Sequence, residues 1–259
     1  MGTTKIDWAE KSWNPVTGCT PVSAGCANCY AAKMAKRLAG RYGYPADDPF
    51  RVTLHEDRLE EPLHWRKPSR VFVCSMGDLF HEDVPEDVIW QVIEKAWQAK
   101  QHTFLLLTKR PRRMADVLTH SMLWLNDTPP NIWIGTSIEN QQTAYERIPH
   151  LLNATAAVRF VSCEPLLGPL TFRWAQWHPL WGSNHLDGLR LLDWVIAGCE
   201  SGQKRRPADI DWFRRLRDEC VAAGVPFFLK QMEIDGQVVH MPELDGKVWD
   251  EMPTAQRVE

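Results

Sequence analysis

The sequence predicts an α/β fold, a complete or nearly complete (β/α) TIM-like barrel, on three observations. Short runs of apolar, β-branched residues recur along the 259-residue chain, segments of helical periodicity alternate with them, and polar residues gather just after the runs end. The runs are continuously apolar rather than alternating, which is how a strand buried on both faces reads. Strands alternating with helices mark a parallel sheet. The length accommodates up to about eight βα units, enough to close a barrel. An open doubly wound sheet is the other arrangement the pattern allows.

Strands are expected at 70–74 (RVFVC), 103–107 (TFLLL), 131–135 (NIWIG), 158–162 (VRFVS), 194–198 (WVIAG) and 226–229 (PFFL). A weaker run stands at 51–55 (RVTLH), and a short first strand around 12–17. Helices are expected at 30–39, stopping at Gly40, and at 85–100, 112–119, 141–152 and 209–223. In the second of these, Pro85 opens the first turn, and Val88, Ile89, Val92, Ile93, Ala96 and Trp97 recur at helical spacing. The stretch 170–192 breaks the rhythm. It carries Trp174, Trp177, His178 and Trp181, with Pro179 and Gly182 interrupting any helix, and is too long for an ordinary connection. It reads as a long loop insertion, either a lid over the substrate or a segment packed outside, in a single domain spanning residues 1–259.

Composition sets limits on function. The chain is 44% apolar and 24% charged, which suits a large core. No stretch of eighteen apolar residues occurs, so no membrane contact is expected. Residues 1–10 lack the basic and apolar zones of a signal peptide, and a cytoplasmic location is the expectation. A formal charge of −3 excludes a protein that coats nucleic acid over its whole surface and confines any such contact to a local patch. Seven cysteines, three of them crowded between positions 19 and 29, read as metal binding plus buried thiols in a reducing compartment.

Cys19, Cys26 and Cys29 form a C-x6-C-x2-C motif flanked by Gly18 and Gly25, directly before an expected helix. Three thiolates on one loop hold three irons of a 4Fe-4S cluster and leave the fourth without a protein ligand, open to a substrate. The glycines let the backbone bend and offer N–H groups to sulfur. The spacing also admits a structural zinc site. Zinc wants a fourth ligand, for which His55 or His81 is available, though neither lies at zinc-finger spacing.

With Tyr30 directly after Cys29, the motif resembles that of the radical S-adenosylmethionine enzymes, which carry three cysteines and an aromatic residue after the first strand of a barrel. The first gap departs from their usual x3. Across nearly its whole length the chain is similar to a three-cysteine-motif family of phages and bacteria. The landmarks are Ser12-Trp13-Asn14-Pro15, GCANCYA at 25–31, SMGDLF at 75–80, LTKRP at 107–111 and IWIGTSIEN at 132–140, then SCEPLLGP at 162–169, WVIAGCESG at 194–202 and FFLKQ at 227–231. A more distant similarity links it to the spore photoproduct lyases, in which a Ser-Asp step, a Thr-Lys step and a serine after successive strands contact S-adenosylmethionine. Asp78, Lys109 and Ser137 match those positions, and Cys74 lies near, though offset from, a cysteine that donates a hydrogen atom there. The resemblance implies a barrel of the radical S-adenosylmethionine type. It implies a 4Fe-4S cluster on Cys19, Cys26 and Cys29, S-adenosyl-L-methionine as cofactor, and a reductant such as flavodoxin or ferredoxin as partner.

The polar strand ends carry the rest of the reading. Ser75 and Asp78, Lys109 and Arg110, Ser137 and Glu139, Cys163 and Glu164, Glu200 and Ser201, and Lys230 and Gln231 all follow expected strands. In a parallel barrel these positions converge on the face where active sites sit, though solvated loops and helix caps are polar too. With the cofactor the resemblance implies, Tyr30 is expected to pack near the adenine, Lys109 to pair with its carboxylate, Asp78 to accept from its amine, and Ser137 and Glu139 to bond its carboxylate or ribose. Glu164 faces the substrate, and Cys74 is a candidate hydrogen donor. Cys74, Cys163 and Cys199 end strands at similar depth and are expected to share one cavity or to be buried thiols.

Basic stretches at 109–113 and 204–206 are expected to hold phosphates of a nucleic-acid or nucleotide substrate, or to be solvated helix starts. The resulting expectation is a radical enzyme that cleaves S-adenosylmethionine to a 5′-deoxyadenosyl radical and acts on a nucleic-acid base or nucleotide. Two other readings remain. One is a zinc-stabilised nucleic-acid-binding or phage accessory protein. The other is a hydrolase using Glu164 and Glu200.

Overall fold

A helix after a strand returns the chain to the end where that strand began, so the next strand pairs in parallel beside it. In the computed structural model, which describes residues 4, 6–119, 124, 128–173 and 188–254, this rule builds one eight-stranded sheet. Its strands are β1 (Lys11–Trp13), β4 (Arg70–Val73), β5 (Thr103–Thr108), β6 (Ile132–Ser137), β7 (Arg159–Cys163), β8 (Trp194–Gly198), β9 (Phe227–Ile234) and β10 (Gln237–His240), adjacent in that order. Every pairing from β1 to β9 is parallel. β2 (Val16–Thr17) and β3 (Thr53–Leu54) pair antiparallel outside this sheet, so the weak run at 51–55 is not one of its strands.

The helices lie close to their expected places: α1 (Tyr30–Leu38), α2 (Glu86–Gln98), α3 (Pro111–Thr119), α4 (Gln141–Asn153) and α5 (Ile210–Ala223). The apolar stripes of α2 to α5 bury Ile89, Val92, Met114, Ala144 and Phe213 against one face of the sheet, where Val71, Leu106, Ile134, Val161 and Leu229 meet them. The other face carries Trp8, Leu105, Trp133, Phe160, Trp194 and Phe228. Trp194 stands edge-on to Trp8, Trp133 and Phe228, at centroid separations of 6.5, 6.2 and 5.9 Å, the geometry aromatic quadrupoles favour.

The complete or nearly complete (β/α) TIM-like barrel expected from the sequence does not form. β1 and β10 end the sheet, which curls into a half-barrel, and β10 runs antiparallel to β9 with Gln237 opposite Ile234. Asp235 and Gly236 take φ of 50° and 75°, the tight two-residue hairpin whose twist matches paired strands. The chain therefore folds straight back on β9 instead of crossing to β1. The doubly wound alternative fails as well, because the strand order never reverses and α2 to α5 share one face.

Most of the long loop expected at 170–192 lies outside the described residues. Its ends are fixed: Leu170 and Phe172 are buried, and Gly188–Leu191 forms a short 3-10 turn leading into β8. Among the described residues no helix is long and apolar enough to cross a membrane.

The inner face is closely packed at Gly135, where an added Cβ would lie 2.6 Å from the Phe160 ring. Gly135→Ala should lower stability by about 1–3 kcal/mol, read as a reduced urea midpoint with an unchanged slope. An unchanged midpoint would show that this strand pair is not packed as described.

Candidate functional site

The strands' carboxyl ends and the inner side of the curl enclose a cleft of about 960 Å³. Cys19, Cys26, Cys29, Tyr30, Cys74, Asp78, Lys109, Ser137 and Glu164 all border it. The structure thus gathers nine of the ten residues picked from the sequence. The tenth, Glu139, is fully buried.

The cysteine loop between β2 and α1 has little secondary structure of its own, and charged side chains from the strand ends hold it. Gly18 and Gly77 pair as an isolated bridge, which Gly18 enters at φ +89°; a Cβ there would lie 2.0 Å from the Arg51 carbonyl oxygen. This close approach sets Cys19 beside the end of β4. Arg110, after β5, then grips the loop's start. Its Nη1 donates to Cys19 Sγ at 3.4 Å and to Asp78 Oδ2 at 3.3 Å, and its Nη2 donates to Thr20 Oγ1 at 3.0 Å. Glu139, after β6, accepts from Ser23 Oγ at 2.8 Å, and a Cβ on Gly25 would lie 2.5 Å from its Oε1, so the backbone seats directly on the carboxylate. Glu200, after β8, accepts from Asn28 Nδ2 at 2.9 Å. At the start of α1, the Tyr30 hydroxyl donates to the Ser75 carbonyl at 2.5 Å.

Asp78 and Glu139, both expected at the cofactor, are hydrogen-bonded to protein groups. Asp78 accepts from Phe80 N (3.0 Å), Thr108 Oγ1 (2.7 Å), Lys109 N (3.2 Å) and Arg110, which fills both carboxylate oxygens. Glu139 is held by Ser23 and by Arg147 Nη1 at 3.0 Å, away from the cleft. Lys109 and Ser137 both border the cleft, and the Lys109 ammonium is 3.8 Å from Glu139 and partly exposed. Glu164 pairs with Lys230, whose Nζ donates to Oε1 at 2.5 Å. Of the two expectations for Cys74, Cys163 and Cys199, the structure shows buried thiols and no shared cavity. Cys74 borders the cleft, whereas Cys163 and Cys199 do not, and Cys163 lies against Cys220 of α5 in the helix-covered core.

The basic stretches are largely committed to internal partners. Arg110 is buried beneath the loop, and Arg113 donates to the carbonyls of His81 and Val84. Arg205 pairs with Glu233 at 2.7 Å, and Arg206 with Glu200. Of the two stretches, Arg112 and Lys204 are exposed, and Lys109 borders the cleft.

Among the described residues no group of three or more His, Cys, Asp or Glu side chains converges as a single-ion site. His81 has both ring nitrogens in use: Nδ1 accepts from Asp83 N at 3.1 Å, so Nε2 carries the proton towards Thr20 Oγ1 at 2.8 Å. His55 bonds Thr17 at 2.8 Å, and burial with nearby Arg58 lowers it to about 4. Neither histidine stands ready as a fourth zinc ligand. A cubane takes its thiolates at separate corners and does not require them to meet at one point, so three loop thiols facing a cleft suit it. Burial and the Asp78 carboxylate push the Cys19 thiol up to about 11, against the pull of Arg110, so metal uptake there displaces a proton.

A family model described as "Protein of unknown function (DUF5131)" matches residues 3–253. The chain belongs to the DUF5131 family. No curated protein and no solved structure matches it.

In this DUF5131 chain the anchors are themselves electrostatically fixed. Burial alone would raise the Glu200 carboxyl, but hydrogen bonds from the Arg206 side chain and backbone and from Asn28 hold it at about 2. Such a group neither gives nor takes a proton near neutrality, which removes Glu200 from a hydrolase's acid–base pair. Its folded-state value is below the ordinary 4.5, so its stabilising share is full above about pH 4.5 and fades as pH falls towards 2. Glu200→Gln should cost about 1–3 kcal/mol at pH 7. The difference from wild type, measured by urea unfolding, should be roughly halved at about pH 3 and mostly gone by about pH 2. A difference constant across that range would contradict the assignment.

Proposed function

We propose that this protein is a radical S-adenosylmethionine enzyme working in a reducing, cytoplasmic setting, with a nucleic-acid base or nucleotide as substrate. One observation carries the reading: three thiols of a single loop border one deep cleft, and both histidines able to close a zinc site are engaged elsewhere. The resemblance in the cysteine motif and the strand-end residues supports it. All seven cysteines are unpaired thiols, as a reducing compartment keeps them.

Cys19, Cys26 and Cys29 would hold a 4Fe-4S cluster, which when bound supplies the electron that cleaves the sulfonium bond of S-adenosylmethionine to a 5′-deoxyadenosyl radical. A reductant such as flavodoxin or ferredoxin delivers that electron. Lys109 offers its ammonium to the cofactor's carboxylate, and Ser137 its hydroxyl to the same end. Tyr30, fixed by its bond to Ser75, presents its ring at the cleft edge for the adenine. Glu164 and Lys230 place a charge pair where the substrate enters. Cys74, pushed up to about 12 by burial, keeps its proton, as a hydrogen-donating thiol must. The apolar inner face, with Phe72 and Leu107 at the cleft wall, keeps water from the reacting atoms.

Anaerobic reconstitution with iron and sulfide tests this. The expected result is about four irons per chain, with 5′-deoxyadenosine released from S-adenosylmethionine on reduction and lost in C19A/C26A/C29A. Lys109→Ala should weaken S-adenosylmethionine binding about tenfold or more while leaving the iron content unchanged. A colourless protein with one tight zinc, inert towards S-adenosylmethionine, would overturn the proposal.

A further inference from the structure

The exposed face of α1 carries a row of cations that the cysteine motif does not require. Lys33 and Arg37 stand four residues apart on the helix, and Arg41 extends the row past its end, donating to the Arg37 carbonyl at 2.5 Å. All three are exposed, and no acidic residue occurs in residues 30–46. The helix macrodipole explains cations near the C-terminus of α1, but Lys33 is in its first turn, where a cation is disfavoured. Helix stability therefore does not account for the row.

Each end of the row is distinctive. At the outer end stands Tyr42, 75% exposed, held at φ +53° with Arg58 donating to its carbonyl at 2.6 Å. A left-handed backbone is unfavourable for so bulky a residue, so the fold holds Tyr42 in this conformation against local preference. At the inner end, Tyr30 and Met34 are half-exposed and border the cleft. An added Cβ on Gly202, which also borders the cleft, would be 3.7 Å from the Lys33 ammonium. The cations Lys33, Arg37 and Arg41 thus run from the exposed ring to the cleft mouth, Lys33 and Arg37 about 5–6 Å apart between Cβ atoms, with exposed Lys36 beside them on the same helix.

We infer that this row is a track for single-stranded nucleic acid, its phosphates on Lys33, Arg37 and Arg41, one base stacked on Tyr42, and the strand leading a base into the cleft. A file of cations ended by an exposed aromatic is the pattern of sequence-tolerant strand binding. The inference rests on the nucleic-acid half of the proposed function and on nothing in its cluster chemistry.

Fluorescence anisotropy of a labelled oligothymidylate with the full-length, metal-free protein tests it. Wild type should bind, and K33Q/R37Q/R41Q should bind about tenfold or more weakly, with a salt slope shallower by about two. Tyr42→Ala should weaken binding about tenfold at an unchanged slope. Circular dichroism and the urea midpoint confirm that the variants fold.

Equal binding by wild type and the triple variant, or no binding by wild type at low salt, would overturn the inference. So would a row that binds an acidic flavodoxin but no oligonucleotide. Iron content and S-adenosylmethionine cleavage, assayed in parallel, separate the two proposals. Strand binding without a cluster upholds the track and removes the radical reading, and cleavage without strand binding removes the track alone.

Discussion

A loop that must present three thiols to a cleft cannot satisfy its own backbone or fix its own shape, and in this protein buried ionic side chains do both. Arg110, Glu139 and Glu200 reach from the ends of β5, β6 and β8 and meet the loop at Cys19 and Thr20, at Ser23, and at Asn28. Buried charges of this kind are costly to desolvate and are strong only when fully partnered. Each is: Arg110 by Asp78 and Glu82, Glu139 by Arg147, and Glu200 by Arg206. The curl of the sheet matters because it brings those three strand ends around one opening. A flat sheet would spread them along a line and leave the loop attached at one point.

This arrangement divides the polar strand ends into two sets. Asp78, Arg110, Glu139 and Glu200 face one another or the loop and hold the frame. Lys109, Ser137, Tyr30, Cys74 and the Glu164–Lys230 pair border the cleft, where Asp78, Arg110 and Glu200 also reach its wall. The division follows from burial: a fully enclosed carboxylate such as Glu139 requires protein donors, whereas a partly exposed ammonium such as Lys109 can exchange water for a ligand oxygen. It also explains how a chain of net charge −3 keeps a local positive row, since most of its other arginines near the cleft are paired with carboxylates.

Much of the fold was legible in the sequence because strands buried on both faces leave continuous apolar runs and core-facing helices leave a 3.6-residue stripe. The runs at 70–74 and 194–198 and the stripe of α2 lie where the structure has them. Closure is not legible in the apolar runs because a two-residue hairpin after β9 decides it. Asp235-Gly236, and again Asp245-Gly246, take left-handed φ at both residues and turn the chain back within two positions. The site was legible as a set of positions but not as roles. Nothing in the local sequence tells that Arg110 turns inward while its neighbour Lys109 stays at the cleft, or that Asn28 and Ser23 tie down the loop. Those facts belong to long-range packing. The cations of α1, Lys33, Arg37 and Arg41, are readable in the sequence, but only the helix's placement beside the cleft gives them a common direction.

The most direct test of the account is an anaerobic crystal structure of the iron-loaded protein with S-adenosylmethionine, using anomalous scattering at the iron edge. The account predicts three irons bound by Cys19, Cys26 and Cys29. The fourth would face the cleft beside Lys109 with no side chain on it, and the loop would still rest on Arg110, Glu139 and Glu200. A fourth protein ligand on the metal, or thiols turned away from the cleft, would contradict it.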